Sequence, residues 1–76
     1  MAATATTRAS RTLRLEFDRE TDGRWIAEIP DLPGVMAYGK TKDEAISRVQ
    51  ALAFRVLAET LEEHGTSHSA VRFKIV

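Results

Sequence analysis

The sequence predicts an α+β fold of two layers, in which a four-stranded mixed sheet carries one long helix on one face. Apolar residues at every second position occupy segments near both ends of the chain, as in half-buried strands. Between Thr41 and Gly65 the apolar residues instead recur every three or four positions, as in a helix. With 76 residues and no cysteine, the chain should form one small domain held together by packing.

The first two predicted strands form a hairpin. Residues 1–11 are small, polar and without periodicity, so they are predicted to be a disordered tail that precedes a domain over 12–76. Strand one spans Thr12 to Asp18. The Asp22-Gly23 dipeptide between two alternating segments is typical of a hairpin turn. Strand two, beginning at Trp25, is therefore expected to run antiparallel to strand one.

A second tight turn leads to the third strand. Leu32-Pro33-Gly34-Val35 fits a type II turn, with proline at the second position and glycine at the third. Strand three, Val35 to Tyr38, should then run antiparallel to strand two. Beyond it, Thr41-Lys42-Asp43-Glu44 is a capping box in which Thr41 and Glu44 each accept the other's backbone N–H.

The end of the helix and the last strand complete the order β-β-β-α-β. Gly65 suits the left-handed position after a last helical turn. The alternating segment from Val71 to Ile75 is the fourth strand. A right-handed crossover through the helix places this strand parallel to the first and beside it, which gives the spatial order 3-2-1-4.

Charge and hydropathy argue against several classes of protein. Eleven basic and eleven acidic residues give a net charge of zero, which disfavours nucleic-acid binding by bulk electrostatics. No apolar segment is long enough for a membrane span or a secretory signal, so a cytoplasmic protein is expected. His64 and His68 are separated by Gly65 and have no third ligand in the sequence, so neither a metal nor a cofactor is expected.

Two segments resemble the HicB family, the bacterial antitoxins of HicA–HicB toxin–antitoxin pairs. They are GRWIAEIPDLPG at 23–34 and YGKTKDEAI at 38–46. The resemblance implies a partial ribonuclease H-like fold, a HicB-like domain, and inhibition of a HicA-like mRNA-cleaving toxin by covering its active site. Many members of the family carry a C-terminal DNA-binding domain. The chain ends at Val76 without one, so no direct DNA binding is expected of it.

Two other functions remain open. The first is a ribonuclease H-like nuclease or its inactive relative, but that site needs carboxylates on strands one and four to hold two metal ions. Strand four has none, so the chain is not expected to be an enzyme and no catalytic residue is assigned. The second is a dimeric structural module without a toxin. A homodimer or higher homo-oligomer is expected in any case, because so small a core is marginally stable alone.

The candidate toxin contacts lie in two places. Pro30, Asp31, Leu32 and Pro33 form a rigid turn that is expected to display an exposed leucine and aspartate at low entropic cost of docking. Ile26, Met36 and Tyr38 are expected on the sheet face that the helix leaves uncovered.

Overall fold

A computed structural model describes residues 9–65 and 67–76 of the chain. The elements are β1 (Ala9–Arg19), β2 (Trp25–Glu28), β3 (Met36–Gly39), α1 (Lys42–His64) and β4 (His68–Ile75). The sheet has the order β3-β2-β1-β4, with β4 parallel to β1 and the other pairs antiparallel. The predicted α+β architecture and strand order are confirmed.

Strand β1 is long enough to join two ladders that are offset along it. Its last four residues, 16–19, pair with β2, whereas residues 9–15 pair with β4. Both β1 and β4 begin three residues before their predicted starts, because Ala9 and His68 already face each other. Ala9 to Arg11 thus belong to the sheet rather than to the predicted tail. The first eight residues of that tail lie outside the described part.

The backbone of helix α1 lies mainly over β2 and β3, and the Phe54 side chain extends from it to Phe73 on β4. The buried apolar residues come from the strands, the second turn and the helix: Leu13, Leu15, Ala27, Ile29, Leu32, Val35, Ala45, Val49, Ala53 and Leu57. Gly39 allows the helix to approach β3 closely. A Cβ atom at this position would lie 2.5 Å from the backbone nitrogen of Ala45.

The second turn has the predicted type II geometry. The Val35 N–H donates to the Leu32 carbonyl at 3.1 Å, and Gly34 has the positive φ of 79° that the third position requires. The following residues, 36–39, pair with β2. The turn therefore reverses the chain directly between the two strands.

Both predicted helix ends are present, with one difference. The Thr41 hydroxyl accepts the Glu44 N–H at 3.1 Å, and Gly65 has a φ of 67° and donates its N–H to the Leu61 carbonyl. The Glu44 carboxylate accepts the N–H of Lys40 at 2.7 Å, and not that of Thr41 as predicted. The helix start is thereby bonded to the end of β3.

Candidate functional site: the open face of the sheet

The sheet face opposite α1 carries side chains from three strands in two rows. Cross-strand register places Asp18, Ile26 and Tyr38 in one row. It places Glu16, Glu28 and Met36 in the next. We call these six residues the open face. Each row runs from an acid on β1 to an apolar side chain on β3, so the surface is graded in character.

The β3 side of the open face is apolar and exposed. Met36 is 42% exposed and Tyr38 is 39% exposed, while Ile26 beside them is half-buried. The Arg24 guanidinium lies 4.4 Å from the centroid of the Tyr38 ring, and its Nε donates to Asp22 at 2.8 Å. Neighbouring exposed apolar side chains with a polar rim are typical of protein-binding surfaces.

The β1 side of the open face is acidic. Glu16 and Glu28 lie directly opposite each other, a position in which like charges destabilise a sheet. Within residues 9–65 and 67–76, neither carboxylate has an ion-pair partner. A depression of about 240 Å³ opens between these two residues, Asp18 and Ile26. This depression is open to solvent and has room for the end of one long side chain.

Three basic residues on the same side of the sheet lie where β1 pairs with β4, whereas Arg24 lies over Tyr38 and is paired with Asp22. Arg14 faces Lys74 across the β1–β4 ladder, and Arg72 precedes Lys74 by two residues. The charges are therefore segregated, with acids where β1 pairs with β2 and bases where β1 pairs with β4. A partner that meets the open face encounters an acidic patch first, despite the zero net charge of the chain.

The predicted contact turn is exposed at Pro30, Asp31 and Pro33 but not at Leu32. Leu32 is only 7% exposed and belongs to the core, so the prediction of an exposed leucine is wrong. Its N–H donates to the Ile29 carbonyl at 3.0 Å, a local turn that directs the side chain inward. Pro30 and Pro33 are exposed, as expected.

Asp31 is occupied by bonds within the chain. Its carboxylate accepts the backbone N–H of Arg14 at 2.8 Å, and a weaker ion pair with the Arg14 guanidinium spans 3.8 Å. This N–H points to the side of β1 where β2 has already ended. Asp31 therefore supplies the hydrogen-bond acceptor that a longer β2 would have supplied. Its main role is therefore structural.

The structure brings together Ile26, Met36 and Tyr38 as predicted, and adds the acids beside them. Alternation in the sequence places Glu16 and Glu28 on this face, but it does not specify which residue lies opposite which. The register depends on the five-residue loop between β1 and β2, in which the Glu20 N–H donates to the Arg24 carbonyl. The length of this loop is the signal that could have revealed the acidic pair.

The histidines do not form a site with other ligands. His64 ends α1, whereas His68 begins β4, three residues before the predicted start of that strand. In the described part of the chain, no three acidic or histidine side chains are grouped so that they could hold a metal ion. In the same part, α1 lacks the apolar character of a membrane-spanning helix.

Comparison with curated proteins finds a similarity to the UPF0150 protein Ta0767 of Thermoplasma acidophilum. The two sequences are 37% identical over 46 residues, which is 60% of this chain and 65% of the relative. The match thus spans slightly less than two thirds of the relative's length. No family model matches the chain. No solved structure matches it either.

Proposed function

We propose that the chain is an antitoxin-type binding protein that inhibits a small, basic, HicA-like RNA-cleaving toxin. In this proposal the open face covers the active site of the toxin. The proposal depends on one observation. The sheet face without a helix carries an exposed apolar strip, formed by Ile26, Met36 and Tyr38, directly beside two unpaired glutamates. The resemblance of residues 23–34 and 38–46 to the HicB family supports the choice of partner.

The chemistry of the open face suits a basic partner. A protein that cleaves RNA must attract a polyanion and therefore presents Lys and Arg side chains around its active site. One such side chain in the depression would place its cation between Glu16 and Glu28 and relieve their mutual repulsion. Met36 and Tyr38 would supply apolar area beside this ion pair.

A binding role also explains why an unfavourable acid pair is present in a small domain. Directly opposed like charges reduce the stability of the free chain, but the same charges strengthen a complex with a cation. Binding sites commonly retain features that lower stability. The similarity to the UPF0150 protein does not indicate an activity, since the name of that protein states none.

The proposal requires that a small basic protein be encoded beside this gene, and co-expression of the two proteins tests it. That neighbour alone should arrest growth, and this chain should relieve the arrest and purify with it. Ile26→Asp and Tyr38→Asp should abolish both effects, because each buries a new carboxylate in the apolar strip. Arg55→Asp, at an exposed position on α1, is the matched control and should rescue as the parent does.

Two results would contradict the proposal. The first is persistent growth arrest with no complex in the presence of the parent chain. The second is full rescue by both open-face variants, which would move the interface elsewhere. Metal-dependent cleavage of an RNA–DNA hybrid by the purified chain would favour the nuclease alternative.

A further inference from the structure

Strand β4 presents an unpaired edge. The Val76 N–H donates to the Leu15 carbonyl at 3.0 Å, so the even-numbered residues of β4 direct their backbone groups toward β1. Backbone direction alternates along a strand. Val71, Phe73 and Ile75 therefore direct their N–H and C=O groups outward. In the described part of the chain, no side chain or loop bonds to these outward groups.

The opposite edge of the sheet is protected. Strand β3 is only four residues long, and the Arg48 guanidinium donates to the outward carbonyl of Tyr38 at 3.0 Å. The next outward group, the Lys40 N–H, is bonded to the Glu44 carboxylate. Natural edges are commonly blocked by short strands and by covering side chains. Residues at the start of α1 thus occupy two outward groups of the β3 edge, and within the described residues the outward groups of Val71, Phe73 and Ile75 in β4 have no such bonds.

Exposed apolar side chains flank the β4 edge on the side of the helix. Phe54 is 53% exposed, Ile75 is 52% exposed and Leu61 is 37% exposed. The Phe54 ring meets Phe73 edge-on, with centroids 5.5 Å apart. Because the backbone of α1 lies mainly over β2 and β3, Phe54 covers Phe73 only in part, and Ile75 stays exposed. The edge thus combines open hydrogen-bonding groups with apolar surface.

We propose that β4 pairs antiparallel with β4 of a second copy of the chain. The twofold axis passes near Val71 and is perpendicular to the sheet. The result is one eight-stranded sheet with both α1 helices on the same face. Phe54 and Phe73 of the two copies then line the space between the helices. This interface is separate from the open face and does not depend on the proposed toxin.

The sequence of β4 selects the register. With Val71 on the axis, Arg72 faces Ala70 of the second copy, and the regular pairing ends at the bulge where the β1–β4 register shifts between His68 and Ala70. With Phe73 on the axis, each Arg72 faces a Lys74. With Arg72 on the axis, that cation faces itself. Opposed like charges destabilise a sheet, so the first register is favoured.

The size of this side of the molecule suits a weak dimer. The eight residues of β4 extend over about 26 Å, and one sheet layer is about 10 Å thick. The strand therefore presents about 260 Å² in projection, and the exposed Phe54 and Ile75 add apolar area beside it. This area is below the ~800 Å² that each partner buries in a standard interface, so we expect a dimer that dissociates on dilution. A twofold interface requires one self-complementary patch, which this edge supplies.

The first test measures the molar mass of the purified chain by light scattering over a dilution series. The parent should be a dimer that dissociates on dilution. Val71→Pro should weaken the dimer about tenfold or more, because it removes an outward N–H from each copy and no β1 bond. Phe54→Lys should also weaken it. Ala51→Lys, exposed on the outer side of the same helix, adds the same charge and should remain a dimer.

The second test locates the interface. The chain has no cysteine, so a single Val71→Cys variant can be joined to its copy by a short thiol-reactive cross-linker. Met36→Cys on the β3 edge is the matched control. Efficient cross-linking at position 71 with little at position 36 is the expected result. A monomeric parent, or preferential cross-linking at position 36, would overturn the proposal. Circular dichroism melts show whether each variant is folded.

Discussion

The facing carboxylates of Glu16 and Glu28 repel each other and so reduce the stability of the free protein. In a complex, the same carboxylates can bind a basic side chain of the partner. Glu28→Gln should raise the free energy of unfolding by ~0.2–1 kcal/mol, since it removes repulsion between directly opposed charges. The same change should weaken binding to a basic toxin. Urea denaturation and calorimetric titration measure the two effects.

Glu16→Gln provides the matched comparison, because it removes the same repulsion from the other side. The stabilisation by the double substitution should be smaller than the sum of the two single effects. Strictly additive stabilities would show that the two side chains do not interact. A less stable Glu28→Gln variant would contradict the account of the pair.

Asp22 is the residue for which the structure predicts a shifted titration. The backbone N–H of Arg24, and then its side chain, hold the pKa of Asp22 below its ordinary value of 3.8. The stabilisation that follows is present above pH ~3.8 and is lost as the pH falls through the lowered pKa. Carbon-detected NMR titration measures this value.

Arg24→Ala separates the two causes of this shift. The variant retains the backbone N–H, so the pKa of Asp22 should rise only part of the way toward 3.8. A midpoint at or above 3.8 in the parent chain would show that the turn does not hold this carboxylate.

At the scale of elements, the loop after β2 acts as a substitute for a strand. Asp31→Ala should destabilise the fold by about 1 kcal/mol, because the Arg14 N–H loses its acceptor. Asp31→Asn keeps an acceptor oxygen and should lose less. Thermal melts of the two variants and the parent measure the difference. Equal losses in both variants would instead assign the effect to the 3.8 Å ion pair.

The close packing of α1 on β3 depends on a glycine without a positive φ. Gly39→Ala should destabilise the fold by ~1–3 kcal/mol, because its Cβ would overlap the helix backbone at Ala45. Gly23→Ala is a useful comparison, since a Cβ there meets nothing within 4 Å and the cost comes only from a φ of 93°. A smaller loss at position 39 than at position 23 would contradict close approach as the role of Gly39.

Sequence patterns predicted the elements well because each strand and the helix has a characteristic pattern within its own residues. Alternation in 12–18 identified a strand, and the Thr41 cap identified the helix start. Other features are set by tertiary contacts. The early start of β1 depends on β4, the inward turn of Leu32 depends on the core, and the Glu16–Glu28 pairing depends on a loop length. Local alternation carries no information about any of these.

At the scale of the whole molecule, the sheet topology could be predicted from chain order and crossover handedness. The properties of the sheet edges and of the open face could not be predicted in this way. The order 3-2-1-4 leaves β3 and β4 at the edges, but only side-chain placement shows which edge is blocked. The open face was predicted as uncovered, whereas its division into acidic, apolar and basic regions required the register.

Pairing through β4 predicts that stability depends on protein concentration. Because only the folded chain presents the edge, the melting temperature should rise as concentration increases. For the Val71→Pro variant, the same rise should begin only at concentrations about tenfold higher or more. Scanning calorimetry at several concentrations measures both. An unchanging melting temperature for the parent would indicate a folded monomer.

The bonds from Arg48 and Glu44 to the outer side of β3 also limit how far self-association can proceed. A chain with two unpaired sheet edges could pair with further copies at both edges and form a filament. In the proposed dimer the β4 edges of both copies are used, and the two occupied groups at each β3 edge disfavour the addition of a third copy.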